Sequence, residues 1–182
     1  MSIRILGGKF KGRSLEVPSE GTRPTSVMLR RRLFDTLLSL EGYHFIDLCA
    51  GSGSVGLEAL SRRASRVTFI DKGKRQISQL KKNIDKIIRN DQNINIFQCS
   101  ATSWLKKNSS LLDGKSILFF DPPYEDEKLY FSFLELINDV NEEVLFLVEA
   151  SNKTSFYKKV ADHINKFEPK IIRQGDKEIF WF

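Results

Sequence analysis

The stretch Phe45-Ile46-Asp47-Leu48-Cys49-Ala50-Gly51-Ser52-Gly53-Ser54-Val55-Gly56 leaves the chain few folds to adopt. An apolar run stops at a glycine turn and resumes as a segment with helical character. Gly51, Gly53 and Gly56 fit G-x-G-x-x-G, in which missing side chains let a ligand lie against backbone at a helix N-terminus. Asp71 follows 20 residues after Gly51, at the end of the apolar run Val67 to Ile70. A carboxylate at the end of the second strand is where a ribose hydroxyl pair is bound. Strand, turn, helix and carboxylate together point to a nucleoside-containing cofactor. The plain alternative makes Asp71 an ordinary strand end, and Cys49 reads as packing.

From Tyr43 onward, short apolar runs alternate with helical segments. Strands are expected at 44–49, 66–70, 94–98, 116–120 and 144–148, and helices at 54–63, 73–89, 101–107, 127–138 and 153–164. That alternation predicts an α/β domain with a mostly parallel central sheet and helices on both faces. Two further runs, 166–173 and 177–182, flank Gln174-Gly175-Asp176 and predict a C-terminal antiparallel hairpin. Ahead of the core, Ile3 to Leu6 and Phe10 to Val17 flank Gly7-Gly8 and predict an N-terminal β-hairpin. A helix from Thr25 or Ser26 to about Leu40 follows the loop Pro18 to Pro24. The expected organisation is an extension over 1–40 leading into a domain over 41–182.

A second stretch, Leu118-Phe119-Phe120-Asp121-Pro122-Pro123-Tyr124, ends a buried strand at a carboxylate, two prolines and an aromatic. Proline fixes φ and has no N–H, and the residue before it is kept extended. The corner therefore fixes the Asp121 carboxylate, the Pro122 carbonyl and the Tyr124 ring. Two acceptors beside an aromatic face suit a planar ring with an exocyclic amine. The bland alternative is a strand-terminating turn.

The net charge of +6 is local: residues 1–32 hold eight basic and two acidic residues, and the remainder is neutral. Such an excess predicts a polyanion-binding face. Lys9, Lys11 and Arg13 alternate and would share one strand face, and Arg23, Arg30, Arg31 and Arg32 follow. Cys49 and Cys99 lack metal-ligand spacing and read as reduced thiols of a cytosolic protein, with no metal expected. No apolar run reaches membrane-spanning length.

Two cofactor classes use such a loop. A dinucleotide reading leaves Asp121 to Tyr124 unexplained, and the chain is short for a separate hydride-acceptor domain. S-adenosylmethionine accounts for both sites, with Asp47 as an acidic residue inside the first strand. In an open α/β sheet the loops at Gly51, Asp71, Ser100-Ala101 and Asp121 would share the carboxyl edge.

DLCAGSGSVGLEA at 47–59 with FFDPPY at 119–124 resembles the Rossmann-like S-adenosylmethionine-dependent methyltransferases that act on exocyclic amines. IRILGGKFKGRSLEVP at 3–18 and Arg23-Pro24-Thr25-Ser26 resemble the start of the bacterial RsmD family. That resemblance implies methylation of a guanine N2 amine in small-subunit (16S) ribosomal RNA, by a cytoplasmic monomer acting on RNA or an assembly particle. It places Ala50, Gly51 and Gly53 at the methionine end of the cofactor, Asp71 on the ribose and Ser100-Ala101 near the adenine. Asp121, Pro122, Pro123 and Tyr124 become the catalytic corner, with Asp121 also beside the cofactor and Tyr124 also touching RNA. Family members carry acidic residues where this chain has Val27 and Arg31, which adds positive charge near the expected RNA face. The rivals are an adenine-N6 DNA methyltransferase, a non-catalytic nucleic-acid-binding protein on the same fold and, last, a nicotinamide-dependent oxidoreductase.

Overall fold

The computed structural model describes residues 2–17, 26–37, 39–88 and 93–182. Among these, seven strands form one sheet: β3 (His44–Asp47), β4 (Arg66–Asp71), β5 (Ile94–Gln98), β6 (Ser116–Phe120), β7 (Leu145–Ser151), β8 (Lys170–Gln174) and β9 (Lys177–Trp181). Their order across the sheet is β5-β4-β3-β6-β7-β9-β8. The first five run parallel, while β9 pairs antiparallel with β7 and with β8. The chain order reverses on either side of β3, so the crevice beyond β3, β4 and β6 is the ligand position of such sheets.

Helices α2 (Ser54–Ser61), α3 (Lys74–Ile87), α4 (Ala101–Asn108), α5 (Glu127–Leu136) and α6 (Tyr157–Ile164) connect the strands. All five residues of β6 are buried, as expected of a central parallel strand covered on both faces. Its side chains alternate: Ile117 and Phe119 join one core with Phe45, and Leu118 and Phe120 join the other with Ile46. In the second core, Phe120 stacks on Phe133 of α5 at 3.9 Å between ring centroids.

The first core extends without a break into the N-terminal segment. Ile3, Ile5, Phe10, Leu15 and Val17 lie buried in it beside Leu29, Leu33 and Phe34 of α1 (Val27–Thr36). Ser26 caps that helix, its Oγ accepting from the Leu29 amide at 3.1 Å. The helix stops at Thr36, short of Leu40.

Two expectations about this segment are corrected. The pair β1 (Ser2–Arg4) and β2 (Ser14–Glu16) is antiparallel, but only three residues of each strand take part. Lys9 and Lys11 sit in the intervening turns and Arg13 just ahead of β2, so the three do not line one strand face. Arg30 is fully buried and not on a surface. Its Nη2 donates to the Arg4 carbonyl at 2.6 Å, and Glu58 of α2 supplies an opposing charge. A phosphate cannot reach it, which removes Arg30 from the basic face. Arg23 lies outside the described residues.

The candidate active site

Asp47 ends β3 facing inward, 2% exposed, and its Oδ2 accepts from the Gly56 amide at 3.0 Å. The bond ties the strand end to the first turn of α2. Burial pushes the Asp47 carboxyl up to about 7; the Gly56 amide draws it down and Asp71 raises it again.

The glycine turn between them is held from β4. Asp71 Oδ2 accepts from the Gly51 amide and Oδ1 from the Gly73 amide, each at 2.8 Å. Gly51 has φ +53°, and a Cβ there would point into open space. A side chain at Gly51 would occupy room left for a ligand. The other two glycines answer to packing. A Cβ on Gly53 would lie 2.4 Å from Leu80 Cδ1, and one on Gly56 would lie 2.3 Å from Phe69 Cε1. Gly53 is the left-handed N-cap of α2, and it does not line the cavity described next.

A cavity of about 680 Å³ opens at this edge, lined by Asp47, Ala50, Gly51, Asp71, Ser100 and Ala101 and, opposite them, by Asp121, Pro122, Pro123 and Tyr124. Its volume falls in the range of small-molecule and cofactor sites. The glycine loop and the proline corner thus share one space. Ser100 Oγ is partly committed, capping α4 by accepting from the Ser103 amide at 3.1 Å. Cys49 also lines the cavity, but burial and the nearby Asp121, Asp71 and Asp47 hold its thiol protonated.

The residues fit an adenosine-bearing ligand. Asp71 is a strand-end carboxylate whose two oxygens are oriented by backbone amides, with lone pairs to spare for vicinal hydroxyls. Gly51 leaves space where a side chain would stand. Among the described residues no cluster of His, Cys, Asp and Glu is placed to hold a metal ion, and no helix is long and apolar enough to cross a membrane.

Behind the corner lie two residues that the sequence did not single out. The Tyr124 hydroxyl donates to Glu149 Oε1 at 2.5 Å. Glu149, fully buried on β7, is 3.3 Å from Lys177 Nζ on β9. The ammonium also sits over the Tyr124 ring, 5.1 Å from its centroid. Burial and the nearby Asp121 and Glu149 carboxyls push the phenol well up, so it stays protonated. No local motif marks Glu149 or Lys177; the one available signal was Glu149 as the lone charged residue of β7, since β9 opens on two, Lys177 and Glu178.

Basic side chains of the N-terminal segment are divided. Lys9, Lys11 and Arg31 are exposed. Arg13 donates to the Ile87 carbonyl at the end of α3. That helix adds exposed Lys74, Arg75, Lys81 and Lys82, a row not anticipated as part of the basic face. Val27 is exposed.

The model of the family described as conserved hypothetical protein 95 matches residues 3–180. The Escherichia coli K12 ribosomal RNA small subunit methyltransferase D is 35% identical over 153 residues, 81% of this chain and 74% of that protein. The Haemophilus influenzae protein of the same name is 37% identical over 126 residues, 67% of this chain and 64% of the relative, so the match spans just under two thirds of that relative's length. Among solved structures, a presumed methyltransferase from Escherichia coli superposes with a TM-score of 0.75 at 26% identity, covering 100% of this chain and 97% of the other. A hypothetical protein from Thermus thermophilus shares the fold at a TM-score of 0.76 and 24% identity, covering 98% of each chain.

Proposed function

The chain belongs to the conserved hypothetical protein 95 family, and from that premise we propose that it methylates the N2 amine of a guanine in small-subunit ribosomal RNA, with S-adenosylmethionine as donor. The observation that carries this reading is the single cavity lined by both the Gly51 loop and the Asp121–Tyr124 corner. The names of the Escherichia coli and Haemophilus influenzae relatives support the substrate class. The corner's chemistry supports an amine, and guanine rests on the resemblance of the N-terminal segment to the RsmD family.

S-adenosylmethionine supplies an activated methyl group on a sulfonium sulfur. Asp71 would hold its ribose hydroxyls, Gly51 its methionine end, and Ser100 and Ala101 would border the adenine. Asp47, once ionised, adds negative charge beside a cationic ligand. At the corner, Asp121 and the Pro122 carbonyl accept the two N–H bonds of the target amine. That would draw the amine lone pair out of conjugation with the ring and point it at the methyl; as the N–C bond forms the S–C bond breaks, leaving a thioether, and the surplus N–H proton passes to water. Positioning and the fixed negative charge of Asp121 stabilise positive charge developing on nitrogen. Tyr124 stacks on the base, which must leave its helix or lie unpaired to enter. Lys9, Lys11 and Arg31, with the α3 row, grip phosphates by charge alone.

The test is a methylation assay on small-subunit RNA, on assembled subunit particles and on DNA, with nucleotide mapping of the product. N2-methylguanine in RNA or particle is expected; activity on DNA alone would overturn the reading in favour of an adenine-N6 enzyme.

A further inference from the structure

The antiparallel direction of β9 brings its first residue, Lys177, to the edge where the parallel strands end. In the β7–β9 register Glu149 faces Ile179 and Ser151 faces Lys177, so Glu149 and Lys177 are diagonal neighbours. Long side chains meet across such a diagonal. Both are buried, and neither lines the cavity. Glu149 Oε1 takes the Tyr124 hydroxyl at 2.5 Å and Lys177 Nζ at 3.3 Å, while Oε2 has no hydrogen-bond partner.

An ion pair that costs desolvation and leaves an oxygen unsatisfied is a poor stabiliser. Its geometry nevertheless does something specific for Tyr124. The hydroxyl is pinned at one end, and one ring face carries the ammonium. What remains of the ring borders the cavity.

Resting on the reading of the site given above, we propose that the Glu149–Lys177 pair is a positioning device for Tyr124. Glu149 anchors the hydroxyl, so the ring stands ready to stack on the target base before it arrives. Lys177 neutralises Glu149, so the anchor adds no net negative charge beside Asp121. The ammonium also blocks the rear ring face, leaving only the cavity face for the base. Burial raises the Glu149 carboxyl, and Lys177, the Tyr124 hydroxyl and Asp121 each oppose that rise.

Either single substitution at the pair strands a buried charge, so two neutral double variants carry the test. E149Q/K177M keeps a carbonyl acceptor for the Tyr124 hydroxyl, and E149L/K177M removes it at similar volume. With S-adenosylmethionine saturating, kcat/KM for RNA in E149Q/K177M should stay within about threefold of wild type, and in E149L/K177M fall at least about tenfold, since stacking on an aromatic carries a factor of this order. The S-adenosylmethionine dissociation constant should shift by less than about twofold in both. Equal RNA kinetics in the two folded double variants would overturn the proposal. So would a parallel loss of cofactor affinity. A second readout needs no activity: NOEs from the Tyr124 ring to its neighbours should report one fixed side-chain rotamer in wild type and in E149Q/K177M and rotamer averaging in E149L/K177M, since the bond at the hydroxyl fixes where the ring sits. An unchanged rotamer distribution overturns the anchor. A fixed rotamer in a wild type that methylates no RNA supports the anchor and sinks only the functional reading.

Discussion

The Gly51 amide donates to Asp71 Oδ2 at 2.8 Å, so the residue proposed to bind a ribose also builds the loop proposed to cradle the rest of the cofactor. Asp71→Ala therefore removes two things at once. Isothermal calorimetry should show S-adenosylmethionine affinity reduced at least about tenfold. Asp71→Asn, which retains one acceptor oxygen, should lose less.

Asp47 makes the site sensitive to pH. Its folded-state value near 7 is above that of an unfolded aspartate. The stability associated with that difference is fully present below about pH 4 and is lost as pH rises through about 7. Thermal melts of the ligand-free protein should therefore gain stability from Asp47→Asn at pH 8 and gain nothing at pH 4. Affinity for the cationic S-adenosylmethionine should rise as pH increases through about 7 in wild type, as Asp47 ionises, and lose that rise in the variant.

Asn83 joins the N-terminal segment to the glycine loop. Its Oδ1 accepts from the Glu16 amide, and its Nδ2 donates to the carbonyls of Glu16 and Ser52, each at 2.9 Å. The residue is 1% exposed, so Asn83→Ala strands all three backbone groups. A loss of about 2–4 kcal/mol in denaturant unfolding is expected, from the desolvation of buried unpaired polar groups.

The basic residues should divide by exposure. Lys9→Ala with Lys11→Ala should flatten the salt dependence of RNA affinity by about 1–2 in log–log slope, as expected for lost phosphate contacts. Arg30→Met should destabilise the fold, because the Arg4 carbonyl loses its donor, and leave that slope unchanged.

What could be read in advance follows the range of each cause. The glycine turn, Asp71 and the proline corner are local, since a few adjacent residues fix the backbone, and of these Gly51, Asp71 and residues 121–124 reach the cavity wall while Gly53 and Gly56 do not. The sequence of elements along the chain and the mostly parallel sheet follow from the alternation of apolar runs with helical segments. Arg30 was misplaced because charge in a sequence carries no direction; only packing of α1 against the hairpin and α2 turns it inward. Lys9, Lys11 and Arg13 alternate by spacing, yet the chain spends residues 9–12 on turns. Glu149 and Lys177 lie 28 positions apart and meet only through the β7–β9 register.

Methyl transfer is proposed to depend above all on Asp121. Asp121→Ala, assayed for methyl transfer to small-subunit RNA and in parallel by calorimetry with S-adenosylmethionine, should lose at least about a hundredfold in kcat, because a fixed acceptor aimed at developing charge is removed. Cofactor affinity should stay within about threefold, since Asp71 and the glycine loop are untouched. Turnover near that of wild type would contradict the role assigned to the corner.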